Sequence, residues 1–403
     1  MKSAIVIGAG PAGMMAALVA ARGGCKVKLL DGNGFAGKKL NITGKGRCNL
    51  TNDCDLDTFL ANIPRNGKFL YSAFAAFPPQ EVMRFFETRG VPLIVERGQR
   101  VFPRSNRARD ITDALTGALA ETGVRLERGK VTALWLEDGA LRGVLLDDRR
   151  IAAEAVIVAT GGLSYPLTGS DGSGYSLARQ AGHTVTPTEG ALTPLESPDA
   201  FCADLAGLSL KNVTLSLIGP DSKRVWREGP GEMLFTHTGL SGPLVLTASS
   251  HWKPGCHAQI DLKPGLDQQK LDARLLRDFS ERAAQEMGNA MRGLLPKSLV
   301  PVVLALGGIE PDTRAGAVTR EQRKALIAAL KAMPVRIGGK APIGEAVVTR
   351  GGVDVREVDP KTMRSKLLKG LYFAGEILDV DAYTGGFNLQ IAFCTGFAAG
   401  NAI

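Results

Sequence analysis

The chain has 403 residues, of which 44% are hydrophobic and 22% charged, and it carries a formal net charge of +9. Such a length exceeds the comfortable size of one hydrophobic core, so two or three domains are expected from a composition of the soluble globular type. No uninterrupted apolar stretch is long enough for a bilayer span, and neither the scattered cysteines (Cys25, Cys48, Cys54, Cys202, Cys256, Cys394) nor the four histidines fall at metal-ligand spacing.

Residues 4–31 read AIVIGAGPAGMMAALVAARGGCKVKLLD. An apolar β-run from Ala4 to Ile7 passes directly into Gly8, Gly10 and Gly13, then a small-residue helix, a second β-run from Lys26 to Leu30, and an acid at Asp31. Gly8 permits the tight turn, Gly10 lets backbone approach a pyrophosphate, and Gly13 lets the helix pack close to the sheet. The helix N-terminus offers free N–H groups and partial positive charge to phosphates, and Asp31 stands where a carboxylate can accept from a ribose diol. The apolar N-terminal run is explained by this unit and is not expected to be a secretory leader, since three glycines and Pro11 interrupt it. With dispersed single cysteines, a cytoplasmic location is expected.

A glycine- and lysine-rich loop follows from Gly34 to Asn52, then helices over Pro79–Arg89 and Ala108–Glu121. Val124–Leu126, Val131–Leu136 and Arg142–Leu146 read as a small β-meander, and AAEAVIVATGG (152–162) as a buried parallel strand ending in a Gly pair. Beyond Pro187 the texture becomes antiparallel, with β-runs such as LSLKNVTLSLIG separated by Gly, Pro and Asp turns. Residues 266–333 are mainly amphipathic helix, and from Ala346 the glycine-punctuated α/β character returns. The expected division is 1–188 and 346–403 for one domain, with 189–345 inserted and its helical part at about 265–333.

Three further motifs favour FAD over NAD. Ala159-Thr160-Gly161-Gly162 ends a strand where its glycines can pass close to a cofactor. GLYFAGE (370–376) is a strand whose terminal Glu376 can accept from ribityl hydroxyls. TGGFNLQIAFCTG (384–396) opens the last helix, whose N-terminus suits the flavin edge where charge accumulates on reduction. There is no second strand–GxGxxG–helix unit, so a permanently housed nicotinamide domain is not expected.

At this point the chain resembles the YhiN/BaiN-like (RdsA-like) bacterial FAD flavoproteins. The resemblance rests on GKKLNITGKGRCNLTN, RVFPRSNRARDI, ATGGLSYPLTGSDGSGYSLA, LFTHTGLSGP and VTRGGVDVREVDPKTMRSKLLKGLYFAGEILDVDAYTGGFNLQ, which together run nearly end to end. It implies an α/β fold in which a single Rossmann-type FAD-binding domain is interrupted by a β-barrel-like subdomain and a small helical subdomain. Two departures stand out. Asp31 replaces a commoner Glu, with the same chemistry one methylene shorter, and the loop DVDAYTGGFNLQ lacks the bulkier residues that precede the Gly pair in other branches.

The cofactor positions that the resemblance implies are Gly8, Gly10, Pro11, Ala12, Gly13, Asp31, Gly32, Lys39, Leu40, Thr43, Gly44, Gly46, Arg47, Cys48, Asn49, Val131, Ala159, Thr160, Gly161, Gly375, Glu376, Gly386, Phe387, Asn388 and Leu389. Arg47 is the candidate to neutralise a phosphate and Asn49 to bond a flavin edge. Candidates for proton delivery are Cys48, Tyr383, Tyr165 and His237, with Cys48 equally readable as a packed core thiol. Asp379 and Asp381 orient the loop or are solvated surface. Family members are associated with reduction of activated C=C bonds, in a ribosomal RNA uracil or in unsaturated bile-acid intermediates, and an amine oxidase activity is attributed to relatives. The expectation is hydride transfer from flavin N5, NADH or NADPH serving as transient donor, to a uracil of 23S rRNA or its precursor. The alternatives are a small-molecule enone reductase or amine oxidase, and an RNA-binding factor with structural FAD. The basic runs Arg97, Arg100, Arg104, Arg107, Arg109 and Lys361, Arg364, Lys366, Lys369 suit a phosphate backbone on the RNA reading and a solvated surface otherwise. No metal and no membrane partner is expected.

Overall fold

The computed structural model describes residues 2–403, which form two compact units: one runs up to Ala191 and resumes at Ile343–Ile403, and the other is Leu192–Pro342. The first is built on a five-stranded parallel sheet. Its strands and principal helices are β1 (Ser3–Ile7), α1 (Pro11–Arg22), β2 (Lys26–Asp31), α2 (Ala108–Glu121), β3 (Leu126–Arg128), β4 (Ala155–Val158), β5 (Leu371–Phe373) and α3 (Phe387–Asn401). Strand order is β3-β2-β1-β4-β5, so the chain reverses direction across the sheet beside β1, where doubly wound folds bind ligands. β1 and β4 are buried along nearly their whole length, as expected of a parallel sheet covered on both faces. α3 lies against α1 at backbone distance: a Cβ at Gly396 would sit 2.3 Å from Ala12 O, and one at Gly400 2.4 Å from Ala16 O.

One short strand departs from the sequence reading. Val124 belongs to the turn that closes α2, its N–H donating to Leu119 O, and the β-run begins at Leu126 and joins the parallel sheet rather than the meander. The meander's third strand is instead Arg149–Ala152, paired with Ala140–Leu146. A further antiparallel sheet of Thr51–Asn52, Arg100–Pro103 and Leu93–Glu96 carries the loop that follows β2.

The second unit contains a seven-stranded antiparallel sheet that begins at Met333–Val335 and ends at Gly339–Lys340. Only three residues separate those two end strands in the chain, which holds the sheet's ends within about 14 Å of each other and so curls it toward a barrel. Its helices are started by side-chain caps: Asp267 accepts from Lys270 N–H at 2.7 Å, and Thr319 forms a reciprocal capping box with Gln322. The unit has its own core, including Phe235, Leu240, Leu271, Leu326 and Met333.

Candidate functional site

The first βα turn shows why its glycines fall where they do. Gly8 has φ +102° and a Cβ there would lie 2.4 Å from Ala159 O; a Cβ at Gly13 would lie 1.9 Å from Gly8 O. Gly10 is different: a Cβ there meets nothing within 4 Å, and its backbone (φ −77°, ψ 179°) is open to any residue. It caps α1 without any side-chain hydrogen bond, and Pro11 has no N–H, so the free donors of the first turn are the N–H groups of Ala12 and Gly13, which no capping side chain takes. Asp31 accepts from Ala9 N–H (2.7 Å), Asn33 N–H (2.7 Å) and Asn33 Nδ2 (2.9 Å), which ties the end of β2 to the glycine turn. A carboxylate has roughly four lone-pair directions, so acceptor capacity remains for a diol. Gly32 continues this turn, and Val131 is buried at the start of the meander, just beyond Gly129, whose N–H donates to Asp31 O.

The loop after β2 returns to the sheet. Lys39 Nζ bonds Glu376 Oε2 (2.7 Å) and Ser164 Oγ (2.6 Å), while Glu376 Oε1 accepts from Ser164 Oγ (2.9 Å) and Thr349 N–H (2.8 Å). This network joins the loop, the Gly161–Gly162 turn, the strand Val348–Arg350 and the end of β5, beside Gly375, whose N–H donates to Thr395 Oγ1. Leu40 is buried beneath it. Thr43 O holds Cys48 N–H at 3.1 Å across a sharp bend in which Gly44, Lys45, Gly46 and Cys48 all have positive φ. Gly386, at φ +100°, caps α3; a Cβ there would meet Thr51 O at 2.3 Å and Asn49 Oδ1 at 2.9 Å. Asn49 therefore does reach the cap of α3 at Gly386, just ahead of Phe387 and Leu389 in the first turn. Asn49 Oδ1 and Thr160 Oγ1 are buried without a hydrogen-bond partner, and a bound polar ligand would satisfy such atoms.

Several expected roles do not match the geometry. Arg47 is committed within the protein: its guanidinium pairs with Glu96, donates to Asn106 Oδ1 (2.7 Å) and lies 4.2 Å from the Phe102 ring centre. The guanidinium thus already has partners within the protein. Cys48 is fully buried in the core, and desolvation, opposed by a Thr43 hydrogen bond, pushes its thiol up to about 12. Packed in the hydrophobic core, this thiol takes the packing role that the sequence also allowed. Asn388 uses its amide to close its own loop, accepting from Ala382 N–H (2.9 Å) and donating to Ala382 O (2.7 Å). Tyr165 is 38% exposed on a left-handed turn, and His237 is exposed on a turn of the second unit. Tyr383 is half-buried, three residues before the cap of α3. Asp379 pairs with Arg65 at 2.9 Å and Asp381 with Arg350 at 2.9 Å, so both are buried loop anchors rather than solvated surface. The sequence reading missed Asn33, Ser164, Thr349 and Arg350 as site residues, although the last three stood inside quoted motifs, ATGGLSYPLTGSDGSGYSLA and the run that opens VTRGG.

A glycine-lined helix N-terminus, two acids at strand ends, partnerless buried acceptors and a second uncapped helix start together fit an FAD. The fold and site thus define a Rossmann-type flavin-dependent oxidoreductase. The chain belongs to the HI0933-like family, whose Rossmann domain matches residues 2–402. It is 33% identical to the 3-dehydro-bile acid delta(4,6)-reductase of Clostridium scindens, over 98% of each chain. It is also 33% identical to the ribosomal RNA dihydrouridine synthase of Escherichia coli, over 98% of this chain and 96% of that one. A solved 3-ketosteroid delta1-dehydrogenase from Sterolibacterium denitrificans shares the fold, with a TM-score of 0.52 and 14% identity over 100% of this chain and 99% of that one. The chain is an FAD-dependent oxidoreductase that reduces a carbon–carbon or carbon–nitrogen double bond. Among the described residues, no helix is long and apolar enough to cross a membrane, and no group of three or more His, Cys, Asp or Glu is placed to hold a metal.

Proposed function

We propose that this protein reduces a C=C bond conjugated to a carbonyl in a small molecule, drawing electrons from NADH or NADPH. The observation that carries this reading is the end-to-end match to two relatives whose names point to different substrates. A 3-dehydro Δ4,6 steroid and a uracil ring share one reactive feature, an electron-poor C=C beside a C=O. When bound, reduced FAD supplies hydride from N5 to the β-carbon of such a system. The chain's part is to hold and orient. The first turn of α1 at Gly10–Gly13 takes the pyrophosphate, Asp31 a ribose, the Lys39–Glu376 pair with Gly161 the ribityl chain, and the N-terminus of α3 with Asn49 the flavin edge. A side chain then protonates the α-carbon, and Tyr383 and Tyr165 are the candidates with exposed surface in this unit.

A small molecule is preferred to RNA because the arginine cluster is partly neutralised within the protein. Three of its five arginines are paired, Arg100 with Glu96, Arg107 with Asp110 and Arg109 with Asp113. The second reading, a uracil in ribosomal RNA, is favoured by the net charge of +9 and by the dihydrouridine synthase relatives. All six cysteines are unpaired, which suits a reducing compartment such as the cytoplasm.

The test is anaerobic reduction of the yellow protein with NADPH or NADH, followed by mixing with a 4,6-dien-3-one steroid, 2-cyclohexen-1-one, or a ribosomal RNA transcript. Rapid reoxidation by the enones, with the saturated ketone found by mass spectrometry, is expected. Reoxidation by the transcript alone, with dihydrouridine appearing in it, overturns the small-molecule reading in favour of RNA. Reoxidation by oxygen alone overturns both.

A further inference from the structure

We propose that Arg350 is a positioning residue that holds Tyr383 ready to protonate the α-carbon of the substrate, with Asp381 fixing the guanidinium. This rests on the double-bond reduction proposed above. Arg350 ends the strand Val348–Arg350, in register with Glu189, and is 7% exposed. Its Nη2 and Nε bond the Asp381 carboxylate at 2.9 and 3.2 Å, Asp381 is 1% exposed, and Glu189 Oε1 stands 3.7 Å from Nη1. A buried ion pair of this kind is poor evidence of stability, because well-packed apolar residues serve as well. It occurs at the root of the loop from Asp379 to Gly386 that leads into α3.

That loop is pinned on both sides of Tyr383. Arg65 Nη2 bonds Asp379 Oδ2 (2.9 Å), Asn66 Nδ2 bonds Asp379 O (2.7 Å), Tyr383 N–H donates to Asn62 O (2.9 Å), and Asn388 Nδ2 reaches Tyr383 O (3.3 Å). Tyr383 is thereby fixed in backbone two residues from the anchor of Arg350. Burial works against the guanidinium's charge, but the hydrogen bonds and charge of Asp381, then Glu189 and the Tyr383 side chain, outweigh it and hold Arg350 above its ordinary value. A cation that gains from the negative form of Tyr383 stabilises that form in return. The charged groups around this point are therefore Arg350, Asp381 and Glu189, with Arg65 paired to Asp379 farther along the loop.

In the step, the phenolic O–H bond breaks and the proton goes to the α-carbon. The electron pair for the new C–H bond is that of the enolate left when hydride reaches the β-carbon. The phenolate regains its proton from water. Both electrons added to the substrate come from the reduced flavin, so the balance needs only the nicotinamide donor.

Arg350→Gln, Arg350→Lys and Tyr383→Phe are compared in the full FAD-loaded chain. Tyr383→Phe is expected to slow reoxidation by 2-cyclohexen-1-one on the order of a hundredfold or more, the scale of a lost general acid. Arg350→Gln should slow it at neutral pH and move the alkaline limb of the rate–pH profile upward, and Arg350→Lys should restore much of both. A readout independent of turnover is ¹³C NMR titration of the five tyrosines, with Tyr383 assigned by its Phe variant. In Arg350→Gln its titration should rise by about one unit or more, since the carboxylates lose their counter-cation. Where Arg350→Gln alone does not fold, Arg350→Gln/Asp381→Asn leaves no lone buried charge, and loss of the cation is then read from the rate–pH profile against Asp381→Asn alone. An unmoved titration, or a Tyr383→Phe variant at wild-type rate, overturns the proposal. Wild-type protein that reduces no enone overturns the reading beneath it, while the titration still decides the coupling.

Discussion

Gly10→Val separates cofactor binding from folding, because the three glycines of the first turn meet different surroundings. A side chain at Gly10 meets no protein atom within 4 Å and needs no unusual backbone, whereas one at Gly13 drives into Gly8 O at 1.9 Å. The extended φ and ψ of Gly10 suit a β-branched residue, and the loss of chain entropy in the unfolded state offsets by a few tenths of a kcal/mol the small cost of replacing a glycine N-cap. The melting temperature of the apoprotein should therefore stay within about 2 °C of wild type. Gly13→Ala should cost at least about 1–3 kcal/mol of overpacking, or roughly 5 °C. For FAD the order reverses. Valine at position 10 occupies the approach to the first turn of α1; losing two backbone N–H bonds to phosphate, at about 1.5–3 kcal/mol each, amounts to about 3–6 kcal/mol. Fluorescence titration of apoprotein with FAD should then show affinity weakened roughly 10²- to 10⁴-fold. Wild-type FAD affinity in Gly10→Val, or an apoprotein as destabilised as Gly13→Ala, would refute the assignment of this turn.

Cys48→Ala should keep turnover per bound FAD within about threefold, since the group is outside the hundredfold range of a general acid; in native protein at pH 8 a thiol reagent should reach half-buried Cys25 well before Cys48 or Cys394, whose thiols burial pushes up to about 12. A double-mutant cycle of Lys39→Met and Glu376→Gln, read by chemical denaturation, should give a coupling of about 0.5–3 kcal/mol, and strict additivity would mean the 2.7 Å pair is incidental. His183 bonds Glu357 at 3.1 Å and Ser365 at 2.7 Å, and desolvation, opposed by Glu357, lowers its basicity. Its folded value lies below the unfolded value near 6.5, so the unfolded chain takes up the proton first and stability falls as pH drops below about 6.5. His183→Gln should flatten that slope in melts from pH 8 to 5, and an unchanged slope would place the acid sensitivity elsewhere.

What could be read in the chain was local. β1, the glycine turn, α1, β2 and Asp31 form a contiguous run in which each residue's conformational requirement is met by its neighbours, so spacing alone carries the argument. The sheet of Thr51–Asn52, Leu93–Glu96 and Arg100–Pro103 left no such trace. One of its strands is two residues long, and in another Ile94 and Val95 are exposed, against the pattern that marks a half-buried strand. Cys48 shows the limit from the other side. A thiol in a glycine-rich loop near a cofactor has one sequence whether it is buried or open, and only the left-handed bend from Gly44 to Cys48 turns it inward.

The acids at the end of the chain make the same point in chemical terms. Glu376, Asp379 and Asp381 lie within six residues and read alike, yet each takes a different cation: Lys39, Arg65 and Arg350. Those cations are 337, 314 and 31 residues away in the chain, so no short window of sequence contains even one of the pairs. Each pairing ties a separate segment to the stretch leading into α3: the loop after β2, the turn after the Leu56–Ala61 helix, and the strand Val348–Arg350. A stretch held by three cations from three directions keeps one conformation, and a group that must meet a substrate carbon within hydrogen-bond reach needs such a support. The residues that set the geometry of this site are consequently the ones with the least local signature, and they became visible only when the sheet brought residues 39, 65 and 350 to the same end of β5.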